Sequence, residues 1–219
     1  MRIDPAEVLR LILSGQAPPA EWVPNIVELR LERSYITNLA PLATLTALTH
    51  LYLTRARISD VTPLASLTRL QRLHLSFTAV RDLTPLAGMA ELEGCFLTGS
   101  LVDDVGPLAG LTKLERLDIG DTQVNDATPL AGLHNLRSLD LSGTRVSDVA
   151  PLAALTGLQY LDLTNTPVTD LSPLAGLVEL RWLIARGTRT DLSVLSHLAG
   201  CQIVTAAVTR RRSDRVPPA

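Results

Sequence analysis

The sequence repeats itself every 22 residues, and this period restricts the possible folds of the chain more than any other feature. The working pattern is LxxLxLxxTxVxDLxPLAxLxx, in which leucines open each block and an aspartate and a proline mark its second half. Seven blocks follow one another without an insertion, beginning at Ile26, Leu48, Leu70, Leu92, Leu114, Leu136 and Leu158. An eighth block from Leu180 lacks one residue and the proline. Such a period is typical of stacked repeat architectures, in which each unit buries its apolar face only against its neighbours.

Each block is predicted to hold one short strand and one short helical turn. Leu139 and Leu141 alternate with Asp140, which is the period of two expected of a strand with one buried face. The segment TPLAGL begins with Thr128, which can cap a helix, and Pro129, which suits the first helical position. An aspartate recurs before this turn, and we expect it to accept hydrogen bonds from backbone amides of the turn. These aspartates are Asp60, Asp82, Asp104, Asp126, Asp148 and Asp170.

This pattern resembles that of the leucine-rich repeat superfamily, in its short bacterial, internalin-like form, over roughly residues 26–208. The resemblance implies an α/β solenoid, a right-handed leucine-rich repeat horseshoe with a concave parallel β-sheet and short 3-10 or helical turns on the convex side. One feature departs from the family, since its usual asparagine after the strand is replaced by a residue that offers fewer donors. The residues found there are Ser34, Ala56, Thr78, Ser100, Thr122, Thr144, Thr166 and Thr188.

The N-terminal end of the array needs a cover, because a repeat array otherwise exposes its core. Residues 1–25 are predicted to form a helical cap, with Asp4 at the N-cap position and Glu7 as its capping-box partner. Residues 26–179 then form the seven repeats.

The C-terminal end is less regular. Residues 180–208 are predicted to form the degenerate repeat and a capping strand, in which Cys201 and Val204 take the first and fourth positions of the pattern. Residues 209–219 are basic and contain prolines, so they are predicted to be a flexible tail that packs no core.

The side chains that the repeat leaves free lie at the third and fifth positions, which project from the concave sheet, and at the eighth, on its rim. Five of the seven aromatic residues occupy such positions. A chain with so few aromatic residues would bury them first, so this placement indicates a binding surface. The alternative is that they merely cover a sheet surface that favours them. The candidate partner-binding residues are Arg30, His50, Tyr52, Arg72, His74, Phe77, Phe96, Arg116, Asp118, Asp140, Tyr160, Asp162, Trp182 and Ile184.

These candidates divide the face into a basic, aromatic N-terminal half and an acidic C-terminal half. Asp118, Asp140 and Asp162 would stand about 5 Å apart and repel one another unless a basic partner segment or a hard cation meets them. They can equally be a common form of the repeat strand with no ligand. Removing the ring of Tyr52, Phe96 or Trp182 is expected to weaken partner capture and to leave the melting temperature nearly unchanged.

The sequence favours recognition over catalysis. Two carboxylates about 5 Å apart also suit a retaining glycosidase, and Asp118, Asp140 and Asp162 could supply them. Uniform repeats without an inserted loop predict no enclosed pocket, however, and no phosphate loop, HExxH or GxSxG pattern occurs. Cys95 and Cys201 take apolar positions and are expected to be inert core thiols. The chain is therefore predicted to be no enzyme and to need no metal or cofactor.

Charge and hydropathy limit the partners. A net charge of −2 gives no general attraction to nucleic acid or to an anionic membrane, and the aspartates would repel phosphate. Neither a secretory signal nor a membrane-spanning segment is predicted, which favours a cytoplasmic monomer that binds a protein; delivery into a host cell without a signal stays open. The resemblance implies a bacterial interaction module, and the same repeat class includes intracellular phosphatase regulators. The alternative is a structural solenoid, or one that self-associates through Trp182 and Ile184.

Overall fold

The computed structural model describes residues 4–198 and 200–205, and within them the chain winds into one solenoid. Nine strands pair in parallel in the order of the chain, so each crossover leads to the neighbouring strand. The strands are β1 (Glu28–Arg30), β2 (His50–Tyr52), β3 (Arg72–His74), β4 (Gly94–Phe96), β5 (Arg116–Asp118), β6 (Ser138–Asp140), β7 (Tyr160–Asp162), β8 (Trp182–Ile184) and β9 (Gln202–Val204). The predicted solenoid with one parallel sheet is confirmed.

Short 3-10 helices carry the chain back from one strand to the next. They span Val23–Asn25, Ala40–Leu42, Thr62–Ser66, Thr84–Leu86, Gly106–Leu108, Thr128–Gly132, Ala150–Ala154, Ser172–Gly176 and Ser193–Leu195. The first full strand-to-strand connection shows the scheme, since the proline at Pro41 lies inside the 3-10 helix that links β1 and β2. Among the described residues, no helix has the length and apolar character needed to span a lipid bilayer.

The leucines of the pattern form a continuous core between the sheet and these 3-10 helices. Leu136, Leu139 and Leu141 are all fully buried, as are their counterparts in the neighbouring repeats. Cys95 takes the place of a leucine in β4, and complete burial raises the pKa of its thiol to about 12. The predicted core position is confirmed for Cys95, whereas Cys201 is only half-buried.

The strand register follows the 22-residue period as far as β8 and then changes. Glu28 pairs with His50, and the same offset holds for each later pair up to Tyr160 and Trp182. Leu183 pairs with Ile203, however, so the register predicted for Val204 is wrong by one residue. The last connection is shorter than the sequence pattern suggested, and a shift by one residue in a strand exchanges its two faces.

The recurring aspartates hold the 3-10 helices in place as predicted. Each accepts a hydrogen bond from the backbone N–H two residues later, as Asp126 does from Thr128 at 2.8 Å. The hydroxyl and the amide of Thr128 both hold the pKa of Asp126 below its ordinary value. The capping role predicted for Thr128 is wrong, because Thr128 is itself the first residue of its 3-10 helix. The same bond is made by Asp60, Asp82, Asp104, Asp148 and Asp170.

Hydroxyl groups line the turn after each strand from β1 to β8 except β2, where Ala56 stands, at the position where the family has asparagine. Thr122 Oγ1 is buried and donates to the carbonyl oxygen of Ile119 at 2.6 Å, so each such hydroxyl satisfies a carbonyl within its own repeat. Ser34, Thr78, Thr144, Thr166 and Thr188 make the same bond to the residue three positions earlier. Ser100 differs, since its buried hydroxyl oxygen has no partner among the described residues.

The N-terminal cap is the helix α1 (Pro5–Leu13). Asp4 Oδ1 accepts a hydrogen bond from the N–H of Ala6 at 2.9 Å, which confirms the predicted N-cap. The capping-box role of Glu7 is wrong, because both of its carboxylate oxygens accept hydrogen bonds from Arg10. Val8 and Ile12 are buried and join α1 to the core. At the other end of the chain, the predicted tail 209–219 lies outside the described residues.

Candidate binding face

A stack of side chains crosses the first four strands of the concave face at the fifth position of each repeat. The Arg30 guanidinium carbon lies 4.3 Å from the centroid of the Tyr52 ring. Tyr52 stacks on His74 with the ring centroids 4.6 Å apart, and His74 stacks on Phe96 with the centroids 4.2 Å apart and the planes 9° from parallel. These distances match the separation of neighbouring strands, about 4.8 Å, so the register of the sheet itself aligns the rings. Arg30, Tyr52, His74 and Phe96 are called the ring stack below.

The ring stack is a preformed surface. Its three rings are half-buried by one another, and their remaining area faces away from the core. Mutual stacking contributes stability beyond the burial of area. The structure therefore revises the expectation that removal of Tyr52 or Phe96 leaves the melting temperature unchanged, since truncation also removes an intramolecular contact.

His74 lies within this stack as an uncharged ring. Its burial, followed by the positive charges of Arg72, Arg30 and His50, lowers its pKa to about 4. His74 therefore adds no positive charge to the N-terminal half at neutral pH.

The rim beside the ring stack holds large side chains on a backbone that favours glycine. The eighth residue of every block has a positive φ, between 53° at Asp121 and 71° at Gly187. A non-glycine residue in this conformation costs about 1–2 kcal/mol. The N-terminal repeats nevertheless place Arg33, Arg55 and Phe77 there.

Phe77 is the exposed centre of that rim. Its side chain is 49% exposed, and the Arg55 guanidinium lies 5.0 Å from the ring centroid. The ring lies across Gly99, where an added Cβ would come within 2.7 Å of it. The rim thus forms a second stack of Arg55, Phe77 and Gly99. Sequence reasoning missed Arg33 and Arg55 as candidates, although the glycines at the same position of later repeats signal the unusual backbone.

A hollow of about 270 Å³ opens in the concave face beside the ring stack. Gly94 of β4 forms part of its lining, together with the rings of Tyr52, His74 and Phe96. Arg72 on β3 and Arg116 on β5 pair with Gly94 in register, so the two arginines stand on either side of the glycine. This space is called the Gly94 hollow below.

The aspartates of β5, β6 and β7 each accept a hydrogen bond from a backbone amide of their own repeat, and Asp118 also accepts one from the side chain of Thr98 in the preceding repeat. Asp118 accepts a hydrogen bond from the N–H of Gly120 at 3.1 Å, and Asp140 accepts one from Ser142 at 2.8 Å. Asp162 accepts one from Thr164 at 2.8 Å. Each carboxylate therefore closes the turn at the end of its strand, as aspartate does in many turns. Asp118, Asp140 and Asp162 are called the aspartate column below.

Burial raises the pKa of two carboxyl groups in the aspartate column. It raises the pKa of Asp140 to about 6, against the hydrogen bonds from Ser142 and with a further contribution from the carboxylate of Asp118. Burial also raises the pKa of Asp118. Tyr160 adds a long hydrogen bond, from its hydroxyl to Asp162 Oδ2 at 3.4 Å. Within the described residues, no group of three or more His, Cys, Asp or Glu side chains is arranged to hold a metal ion.

The far end of the face differs from the prediction. Trp182 is 46% exposed, but Ile184 is only 6% exposed, so the accessible position predicted for Ile184 is wrong. Ile184 pairs with Asp162 on one side and with Val204 on the other. The proposed self-association surface therefore loses one of its two residues.

The other candidates keep some accessible surface. Arg30, Phe77, Arg116 and Trp182 are exposed. The half-buried candidates are His50, Tyr52, Arg72, His74, Phe96, Asp118, Asp140, Tyr160 and Asp162.

Known proteins share both the repeat and the fold. The family model described as "Leucine Rich repeats (2 copies)" matches residues 134–176. An internalin (inlF) from Listeria monocytogenes is similar with a TM-score of 0.80 at 28% identity, over 91% of this chain and 67% of that one. Internalin C2 (inlC2) from the same species is similar with a TM-score of 0.82 at 29% identity, over 89% of each chain.

A more distant structure shares the fold alone. It is the leucine-rich repeat ectodomain of the plant membrane receptor kinase GASSHO1/SCHENGEN3 from Arabidopsis thaliana, solved in complex with Casparian strip integrity factor 2. Its TM-score is 0.73 at 16% identity, over 86% of this chain and 25% of that one. A sequence comparison with curated proteins finds no match. The repeat, the sheet and the two internalin structures together show that the chain has a leucine-rich repeat fold similar to that of the internalins.

Proposed function

We propose that this chain is a non-catalytic module that binds a protein partner through its concave face and the adjoining N-terminal rim. Leucine-rich repeat proteins generally mediate protein–protein interaction, and solenoids of this kind use extended concave surfaces to do so. The likeness to two Listeria internalins supports a bacterial interaction module. A catalytic role finds less support, because the Gly94 hollow is lined by none of the three aspartates of the column.

The ring stack is the observation that carries this proposal. Rings and guanidinium groups are the groups that most often anchor protein interfaces. Here they are already ordered by one another across four strands, so little side-chain entropy is lost when a partner binds.

The rim supports the same surface. Phe77 and Arg55 lie on left-handed backbone that glycine would adopt without strain. Strained backbone is concentrated at functional sites, where the side chain it presents is used. The two stacks together form one basic, aromatic surface at the N-terminal end of the sheet.

The charge division of the face supports a fixed orientation of the partner. An acidic or polar segment would lie against the N-terminal half, and a basic segment against the aspartate column, because complementary charges set register and suppress wrong partners.

Partner capture tests the proposal. The immobilised full chain, its Tyr52→Ala variant and its Phe96→Ala variant are each incubated with a lysate of the source cells, and captured proteins are compared by quantitative mass spectrometry. The control is Tyr35→Ala, because Tyr35 is 77% exposed and lies against Arg57 at 4.6 Å, yet stands outside the concave positions.

We expect at least one captured protein to fall about fivefold or more with both concave variants and to stay constant with Tyr35→Ala. Equal capture by all four proteins would show that the concave face is the wrong surface.

A further inference from the structure

Gly94 departs from the repeat pattern because it has no side chain, and the local backbone conformation does not require a glycine. Gly94 takes the third position of its repeat, where the other seven strands from β1 to β8 carry a side chain. Its φ is not positive, unlike that of Gly99 or Gly143, so an ordinary residue could adopt the same backbone conformation. A glycine inside a strand weakens it and often marks a place where a ligand approaches closely.

Gly94 is buried, and neighbouring side chains cover part of the place that its Cβ would take. An added Cβ would meet Phe96 Cε2 at 3.1 Å and Arg72 Cγ at 3.7 Å, so part of the space is taken by the edge of the Phe96 ring. The Gly94 hollow still has a volume of about 270 Å³, which is room for one inserted side chain.

Two guanidinium groups flank this space without an acidic partner. Among the described residues, the five ion pairs include neither Arg72 nor Arg116. Glu93 and Glu115 also line the hollow, but neither lies within ion-pair distance of these two arginines. Both arginines therefore keep their donors available.

The aromatic rings that line the hollow also favour a negatively charged ligand. The stacked rings have one another against their faces, and Phe96 directs the edge of its ring towards Gly94. Ring edges carry the positive part of the aromatic quadrupole. An arginine fork suits a carboxylate in particular, since its donors match the two oxygens in a charge-assisted, bidentate pair.

We propose that the Gly94 hollow binds the carboxylate of an aspartate or glutamate side chain of the protein partner, held between Arg72 and Arg116. This assignment rests on the proposed function, because it supplies the residue that sets the register of the partner on the concave face. Two arginines and two glutamates line the hollow, so its net charge alone does not select the ligand. At Gly94 itself, however, Arg72 and Arg116 are the residues in register on either side, and a basic side chain placed between them would be repelled by both. An apolar side chain would remove water from them and leave two charges without a partner, which is costly.

The test uses a single carboxylate as the probe. The ¹⁵N-labelled full chain is titrated with N-acetylglutamate α-amide, whose only charge is the side-chain carboxylate, and separately with the neutral N-acetylglutamine α-amide. The amide resonance of Gly94 and the Nε–H resonances of Arg72 and Arg116 report on the hollow, and that of Arg145, an exposed arginine outside the concave face, is the control.

We expect saturable shifts at the three hollow resonances with the glutamate probe and about tenfold weaker binding of the glutamine probe. Arg72→Gln and Gly94→Leu should both abolish the difference between the probes, whereas Arg145→Gln should leave it intact. Equal responses to the two probes, or equal shifts at Arg145, would overturn the proposal. Tighter binding of N-acetylglycine would assign the hollow to a chain-terminal carboxylate and would overturn the side-chain assignment.

The outcome of the titration can be distinguished from the outcome of the partner-capture experiment. Loss of the partner with Tyr52→Ala, combined with no preference for the glutamate probe, would leave the concave face as the binding surface and reject the carboxylate. A preference for the glutamate probe, combined with undiminished partner capture by both Tyr52→Ala and Arg72→Gln, would reject the proposed function and the assigned role of the hollow in it.

Discussion

The two halves of the concave face share one backbone and differ in what their side chains contact. From β1 to β4 the fifth-position side chains contact one another across the strands, in the unbroken order Arg30, Tyr52, His74 and Phe96. From β5 to β7 the aspartates at the same position bond to amides of their own repeats. One half is therefore a surface that spans four repeats, and the other uses its side chains to close local turns. Regular backbone stacking allows each position to specialise in this way.

The rim shows the same contrast. Its left-handed position is filled by Arg33, Arg55 and Phe77 in the first three repeats. The later repeats place there only residue types that tolerate this conformation better, namely Gly99, Asp121, Gly143, Asn165 and Gly187. The eighth position has a positive φ in every repeat. The first three repeats therefore carry backbone strain in order to present the side chains of Arg33, Arg55 and Phe77. At the basic, aromatic end of the molecule, backbone strain lowers local stability and exposes side chains that are suited to binding.

The largest stability effect is expected at Asp140, in the acidic half. Burial raises its pKa from 3.8 to about 6, so the folded state retains a proton that the unfolded state has released. The free energy of unfolding should therefore fall as pH rises between these two values. Asp140→Asn keeps the acceptor for Ser142 without the charge, and we expect it to be about 2 kcal/mol more stable than wild type at pH 7 and equal to it at about pH 3.

Urea unfolding at several pH values measures this effect. Asp126→Asn is the matched control of opposite sign, because Thr128 lowers the pKa of Asp126. That variant should be less stable than wild type at neutral pH, with the difference disappearing as pH falls through the folded pKa. If wild type and Asp140→Asn showed the same pH dependence, the buried charge would not be the cause.

A smaller effect is expected in the ring stack. Tyr52→Ala removes the stacking partner of His74 and a half-buried ring, and should lower the free energy of unfolding by about 1.5 kcal/mol. Tyr35→Ala, at a more exposed ring, should change it by no more than about 0.5 kcal/mol. Chemical denaturation of both variants makes the comparison, and equal effects would mean that the stack contributes nothing of its own.

The smallest effect is expected at the rim. Arg33→Gly relieves a positive φ of 56° and should raise the free energy of unfolding by about 0.5 kcal/mol, after the greater freedom of glycine in the unfolded chain is taken into account. Arg145→Gly, at a residue without positive φ, should instead be destabilising. A loss of stability in both variants would argue against backbone strain at the rim.

The repeat made most of the fold predictable. Apolar residues, mostly leucine, at the inward positions specify where each strand lies, and the aspartate before each 3-10 helix bonds the amide two residues later in every regular repeat that has it. Prediction failed where the period itself failed. The last connection lost the pattern, so the pairing of Leu183 with Ile203 could not be read from it. The burial of Ile184 follows from that pairing, because it depends on Val204 lying beside it.

The candidate site was predictable in position and unpredictable in contact. The period assigns Tyr52, His74 and Phe96 to one column, but ring orientation depends on side-chain torsions that no spacing encodes. The same limit applies to Gly94. In the sequence it is only a glycine at a position where the other repeats have a larger residue, whereas in the structure it lines a hollow. Local ion pairs such as Glu7 with Arg10 likewise compete with the expected cap, and only the folded geometry decides between them.

Affinity for the captured partner tests the central claim that the N-terminal half of the concave face is the binding surface. Calorimetric titration would compare wild type, the double variant Tyr52→Ala with Phe96→Ala, and the control Tyr35→Ala, each first shown to be folded at the temperature used. We predict that the double variant loses at least about 30-fold in affinity while the control is unchanged. Binding by the double variant within about twofold of wild type would contradict the account.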